Sequence, residues 1–151
     1  MSDLTDFLLA RIAEDEAVAR TAGEPPWDEW CYDDGGEVYH AETLRKDPDN
    51  RHYLNGVTCD TEGLSPAVDE DVGPHIARFD PARILAECEA KRRIVVQAEE
   101  ASADRSSCIS EFYVGAEERA QGYATDPGNL ILRALASVYA DHPDFDPAWR
   151  V

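Results

Sequence analysis

The chain has 151 residues, 43% of them hydrophobic and 30% charged, which is enough apolar content for one domain with its own core and too much for a disordered segment. Thirty-two acids against 14 bases give a net charge of -18. Such a field repels nucleic acid phosphates and anionic membrane surfaces, so the expected partner is a protein with a basic surface.

The elements follow in chain order. Ser2 or Asp3 is placed to cap a first helix, expected over 3–20, with Leu4, Phe7, Leu8, Ile12, Val18 and Ala19 at helical spacing. Arg11 and Asp15 fall near the middle of that apolar face, four residues apart, and so are spaced to pair. Gly23 and Pro25-Pro26 end the helix. Residues 24–36, "EPPWDEWCYDDGG", read as a loop of aromatics, acids and turn formers. Glu37–Glu42 and His52–Thr58 carry strand-type residues, and the "LRKDPDNR" between them reads as the turn of a two-stranded antiparallel hairpin. Residues 60–74 hold five acids and no base and read as a solvated loop, so 24–74 forms one variable acidic insert.

A second helix is expected over 81–101. Asp80 suits its N-cap and Pro81 its first position, and Phe79 and Ile84 have the spacing of a hydrophobic staple. Its stripe is Ile84, Leu85, Cys88, Val95 and Ala98, with Arg92 at the edge. Residues 102–127 give a weak signal, with one short helix around Ala116–Gln121 as the reading. A third helix is expected over 128–140, burying Leu130, Ile131, Ala134, Leu135 and Val138. Residues 141–151 form an extended tail whose aromatics, with Tyr139, lie over the helices. The fold class is therefore α+β: a single domain over 1–151, mainly helical, with three core helices and a small hairpin inserted after the first.

Five groups of residues invite a functional reading. In "HIARFDPARIL", His75 and Asp80 resemble a catalytic pair, but Asp80 is better used as a cap and no nucleophile accompanies them. His75 is expected in an extended segment, hydrogen-bonding the helix start or packing on Trp27 or Trp30. Arg11, Asp15 and Arg92 read as a structural ion network, because an unpaired buried charge costs about 3–5 kcal/mol when its partner is lost. Cys31, His40, His52 and Cys59 are zinc-capable types without the tight Cys-x2-Cys pair that zinc motifs show, so no metal or other cofactor is expected. The acids of the loops lack calcium-loop spacing and read as a solvated face. Trp27, Asp28, Glu29, Trp30, Asp33, Asp34 and Trp149 make an aromatic and acidic set suited to anchoring a protein partner.

"DFLLARIAEDEAVAR", "HIARFDPARILAECEAKRRIV" and "LRALASVYADHPDFDPAWR", with a variable acidic segment between the first two, resemble a family of short acidic proteins of unknown function in actinobacteria and their phages. The resemblance covers about half of the chain and implies no catalytic residues. Such proteins frequently carry a second histidine where this chain has Phe79, and the difference weakens a metal role for the stretch.

The functional expectation is a non-enzymatic cytoplasmic adaptor or inhibitor that binds a protein, in a phage setting a host factor. Its specific form is DNA mimicry, carboxylates standing for phosphates. The alternatives are a small enzyme such as a metal-assisted hydrolase using His40, His52, His75 or the loop carboxylates, and an accessory or structural protein. No membrane segment and no signal peptide are expected, and the oligomeric state is left open.

Overall fold

In the computed structural model, which describes residues 3–32, 36–46, 56–58, 72–111 and 126–151, helix α1 spans Asp3–Ala22. Two β-strands follow, β1 at Trp30–Tyr32 and β2 at Val38–His40. Four more helices complete the described order: α2 Ala41–Lys46, α3 Gly73–Arg78, α4 Pro81–Glu111 and α5 Pro127–Ala136. Two single 3-10 turns, Ser137–Tyr139 and Pro147–Trp149, lie in the C-terminal part. The fold is α+β, mostly helical with one two-stranded antiparallel sheet. The described chain divides into two compact units, one of 1–14 with 88–151 and one of 15–87.

The first unit is helical. Leu4, Thr5, Phe7, Leu8, Arg11 and Ile12 of α1 are buried in it, as are Cys88, Val95 and Ala98 of α4. Four-residue steps along α1, and a seven- and a three-residue step along α4, keep each stripe on one side of its helix. The Thr5 hydroxyl donates to the Glu99 carboxylate. In α5 the buried residues are Gly128, Leu132 and Ala136, again four apart. A Cβ at Gly128 would collide with the Ala98 carbonyl and Ser102 Oγ, so the missing side chain is what lets α5 start against α4. Asp126 caps α5: its carboxylate accepts the Asn129 N–H at 3.0 Å and the Ser102 hydroxyl.

The expected stripe of the third helix is therefore rotated. Leu130, Ile131 and Val138 are 39%, 46% and 69% exposed, because small residues, not the aliphatics beside them, make the close helix contact. Val18 of α1 is likewise on the surface at 71% exposure. Helix α4 extends ten residues beyond the expected end at Ala101. Its apolar stripe fades there, but the chain meets no glycine or proline before Gly115, so nothing stops the hydrogen-bond ladder. The segment expected at Ala116–Gln121 lies outside the described residues.

The tail is held by hydrogen bonds of its own and by three from α5. Asp146 caps the turn at Pro147, accepting the Ala148 N–H at 2.8 Å. The Arg133 guanidinium donates to the carbonyls of Ala148 (3.0 Å), Trp149 (3.1 Å) and Arg150. Phe145 and Trp149 meet the Phe7 ring at 6.0 and 5.0 Å, and Tyr139 meets it edge-on at 6.4 Å.

The second unit is built around the ribbon. Trp30 pairs with His40, Cys31 with Tyr39, and Tyr32 with Val38. Gly36, just before β2, has φ 87°, a value that favours glycine and suits the turn. Val38 and Tyr39 are buried. The expected partner of this strand was 52–58. Its described neighbour is instead Trp30–Tyr32, a short run with two β-prone aromatics inside the stretch expected as a loop. Residues 56–58 still reach the strand: Gly56 bridges to Tyr39, the Val57 N–H donates to the Val38 carbonyl at 2.7 Å, and Thr58 Oγ1 accepts from the Val38 N–H at 3.1 Å.

Two short helices replace expected irregular segments. Ala41–Lys46, by its sequence the end of a strand and part of a turn, forms α2, supported by Glu42 and Lys46 four apart. Residues 73–78, by their sequence loop and extended chain, form α3, starting at Gly73-Pro74. The Tyr32 ring lies against Gly73, filling the place a Cβ would take.

Candidate functional site

The residues Trp27–Trp30 stand on a backbone fixed to the start of α4. Helix α4 opens with Pro81, which has no N–H to satisfy. The next N–H, of Ala82, donates to the Asp28 carbonyl at 3.0 Å. The third, of Arg83, donates to Asp80 Oδ1 at 2.8 Å. Asp80 Oδ2 accepts the Trp30 N–H at 3.3 Å. One carboxylate thus serves a helix terminus and the first residue of β1 together. The Glu29 carbonyl accepts the Ala41 N–H at 2.8 Å, which ties the same stretch to α2.

The side chains of this stretch face different surroundings. Trp27 is 38% exposed, and the edge of its ring meets His40 at 5.6 Å between centroids. His40 Nδ1 lies 2.8 Å from the Trp27 carbonyl; since a carbonyl only accepts, that nitrogen carries the proton. Trp30 is half-buried beside His40, and its indole N–H has no hydrogen-bond partner among the described residues.

Cations of the chain itself cover the acids and the exposed ring. Lys46 Nζ lies 5.4 Å from the centre of the Trp27 ring and 3.3 Å from Glu42. Arg45 donates to the Glu29 carboxylate, and this hydrogen bond, with the negative charge behind it, raises the guanidinium pKa above its ordinary value. Both basic residues come from the last turn of α2. The one advance signal of this arrangement is the four-residue spacing of Glu42 and Lys46, hidden because 41–46 has the sequence of a strand end and turn.

The other candidate residues fall elsewhere. Asp33 and Asp34 lie outside the described residues. Trp149 belongs to the first unit, half-buried on Phe7. In that unit Arg11 is 8% exposed. Its guanidinium donates to Glu14 at 2.7 Å, stands 2.6 Å from the His142 ring and 3.5 Å from Asp144, and covers Phe7. Sequence reasoning placed Asp15 and Arg92 beside Arg11. Both are half-buried and each has an interaction of its own; of the three partners of Arg11, Glu14 lies at the helical i+3 spacing, and His142 and Asp144 lie in the tail, where helical spacing gives no hint.

His75 sits on α3 and faces neither tryptophan: its ring lies 4.7 Å from Phe79, whose other neighbour is the Arg83 guanidinium at 4.4 Å. Of the zinc-capable set, His52 and Cys59 lie outside the described residues. Cys31 and His40 are in adjacent pairs of the ribbon, so strand alternation turns their side chains to opposite faces. Among the described residues no three metal-ligating side chains converge, and no helix is long and apolar enough to cross a membrane. A shallow groove of about 280 Å³ between α4 and α5 is lined mainly by small or apolar residues, among them Ile94, Ala98 and Ile131, with Gln97 and Arg93 its polar members.

The chain matches, over residues 1–151, the model of a family of unknown function, DUF6221, and belongs to that family. No curated protein and no solved structure matches it.

Proposed function

We propose that this member of the family is a non-enzymatic binding protein, an adaptor or inhibitor, whose partner presents a basic surface. The observation that carries the reading is the surface at Trp27, Asp28 and Glu29: a rigidly held aromatic and acidic patch on which the chain's own lysine and arginine already lie. Residues 15–87 hold 18 acids and 6 bases, a net -12 of the chain's -18, so the field that attracts a basic partner is strongest on the unit that bears this patch. The proposed setting is the cytoplasm of an actinobacterium or of one infected by phage, with a host protein as the target. DNA mimicry is the specific form in which that target's basic groove is its nucleic-acid site.

The test is capture from native actinobacterial lysate with the wild-type chain and with a Trp27→Ala, Asp28→Asn, Glu29→Gln variant, over a salt series. The reading expects a basic protein, retained by the wild type, lost with salt and lost with the variant. Equal capture by both chains would overturn it. Duplex DNA competing for the captured protein would support the mimicry form.

A further inference from the structure

We propose that Trp27 and Glu42 form a receptor site for a lysine or arginine side chain of a partner, and that Lys46 is an internal occupant which the partner displaces. The inference rests on the protein-binding reading above and gives that site its ligand. Three features define it. The Trp27 ring is 38% exposed, so one face is open to a cation. Its position is fixed through its own carbonyl, which accepts from His40, and through the neighbouring Asp28 carbonyl, which accepts from Ala82. Glu42, whose side chain is 20% exposed, supplies the counter-charge to the cation that lies over the ring.

Lys46 occupies this place in the manner of a ligand, its ammonium 5.4 Å from the ring centre and 3.3 Å from the Glu42 carboxylate. It is held loosely. Its side chain is 63% exposed, it is the last residue of a six-residue helix, and both of its contacts belong to classes that are weak at exposed positions. Arg45 donates to Glu29 and lies 4.0 Å from Glu42, off the ring, so it stays in place when Lys46 leaves and Glu42 keeps one carboxylate oxygen for a new cation. A partner lysine or arginine makes the same two contacts, and the acidic unit around them favours its approach over that of a neutral side chain.

The probe is tetra-lysine amide, titrated into the full chain at about 20 mM salt, where screening is weak, with the Trp27 indole N–H followed by NMR. The indole signal is expected to shift on titration. Lys46→Met keeps the aliphatic stem, takes the cation off the ring, and is expected to tighten binding about three- to thirty-fold, the combined scale of one exposed cation–π contact and one exposed ion pair. Arg93→Gln, on α4, removes one positive charge elsewhere and serves as the charge-matched control. In the Lys46→Met background, Trp27→Leu or Glu42→Gln is expected to abolish the gain, with affinities in all variants measured by titration calorimetry because Trp27→Leu carries no indole signal. The inference falls if Lys46→Met binds no tighter than Arg93→Gln, or if the Trp27 signal stays still while the peptide binds. Salt-sensitive binding of equal strength in every variant would overturn this site and leave the broader reading standing. Failure of all variants to bind the basic peptide would remove both.

Discussion

Asp80 is the residue whose loss tests the architecture of the candidate site most directly. Its two carboxylate oxygens accept from Arg83 and from Trp30, so Asp80→Ala removes a helix cap and a connection to β1 in one change. Loss of an aspartate N-cap costs about 1 kcal/mol. Leaving the half-buried Trp30 N–H without its acceptor adds about 1 kcal/mol. The sum is about 2 kcal/mol, which for a chain of this length corresponds to a fall in Tm of about 4–8 °C. Asp80→Asn separates the two contributions. Asparagine keeps a carbonyl oxygen for Arg83 and turns an amide donor toward Trp30, so about half of the loss should return. Thermal unfolding by circular dichroism measures the totals, and hydrogen exchange at the Arg83 and Trp30 amides measures each bond. An Asp80→Ala variant within about 1 °C of wild type would refute the bridging role. Asp80→Asn as unstable as Asp80→Ala would refute the cap.

Three further outcomes are expected. Gly128→Ala gains up to about 1 kcal/mol of helix propensity but forces a methyl group into the Ala98 carbonyl and Ser102, a strain of about 1–3 kcal/mol, so the net effect on denaturant stability is destabilising; a stabilised variant would show that α5 does not approach α4 this closely. Arg133→Lys has the charge but not the fork that reaches three carbonyls, so proteolysis within residues 141–151 should accelerate as much as in Arg133→Ala; a lysine variant as resistant as wild type would assign the contact to charge alone. Leu8→Ala, at a position 1% exposed, should cost about 2–5 kcal/mol in denaturant unfolding, and Val18→Ala, at 71% exposure, less than about 0.5 kcal/mol; similar costs at the two positions would contradict the orientation of α1.

What could be read in advance followed the strength of the local signal. Leu4, Leu8 and Ile12 repeat every four residues, and Asp80-Pro81 couples a capping residue to a proline that needs no N–H partner; in both cases short-range chemistry determines the local structure. The failures came where a tertiary contact decides. In α5 the small residues Gly128 and Ala136 are buried because they allow close approach, and a hydrophobicity pattern ranks them below Leu130 and Ile131. At Trp30–Tyr32 the run, with two β-prone aromatics, was too short to stand out from the acids and glycines around it. Arg11 was recognisable as a charge on an apolar face, but His142 and Asp144 are more than a hundred residues away, beyond any periodicity.

The same limit bears on the candidate site. "HIARFDPARIL" draws attention because histidine, aspartate and arginine stand close together, yet each already has a local partner: Asp80 the amides of Arg83 and Trp30, Arg83 the Glu87 carboxylate, His75 the Phe79 ring. "WDEW" looks instead like a loose acidic loop, yet its backbone is held by Asp80 and Ala82 of that stretch and by Ala41 of α2. A structural role for the backbone and a binding role for the side chains are therefore not rivals. An anchor that must be ordered on binding loses affinity to that ordering, whereas a ring held beforehand does not. The bonds from Asp28, Glu29 and Trp30 to α4 and α2 spend main-chain groups alone. The Trp27 ring and the carboxylates stay on the surface, and the cations that meet them there come from the one short helix that the sequence disguised as a turn.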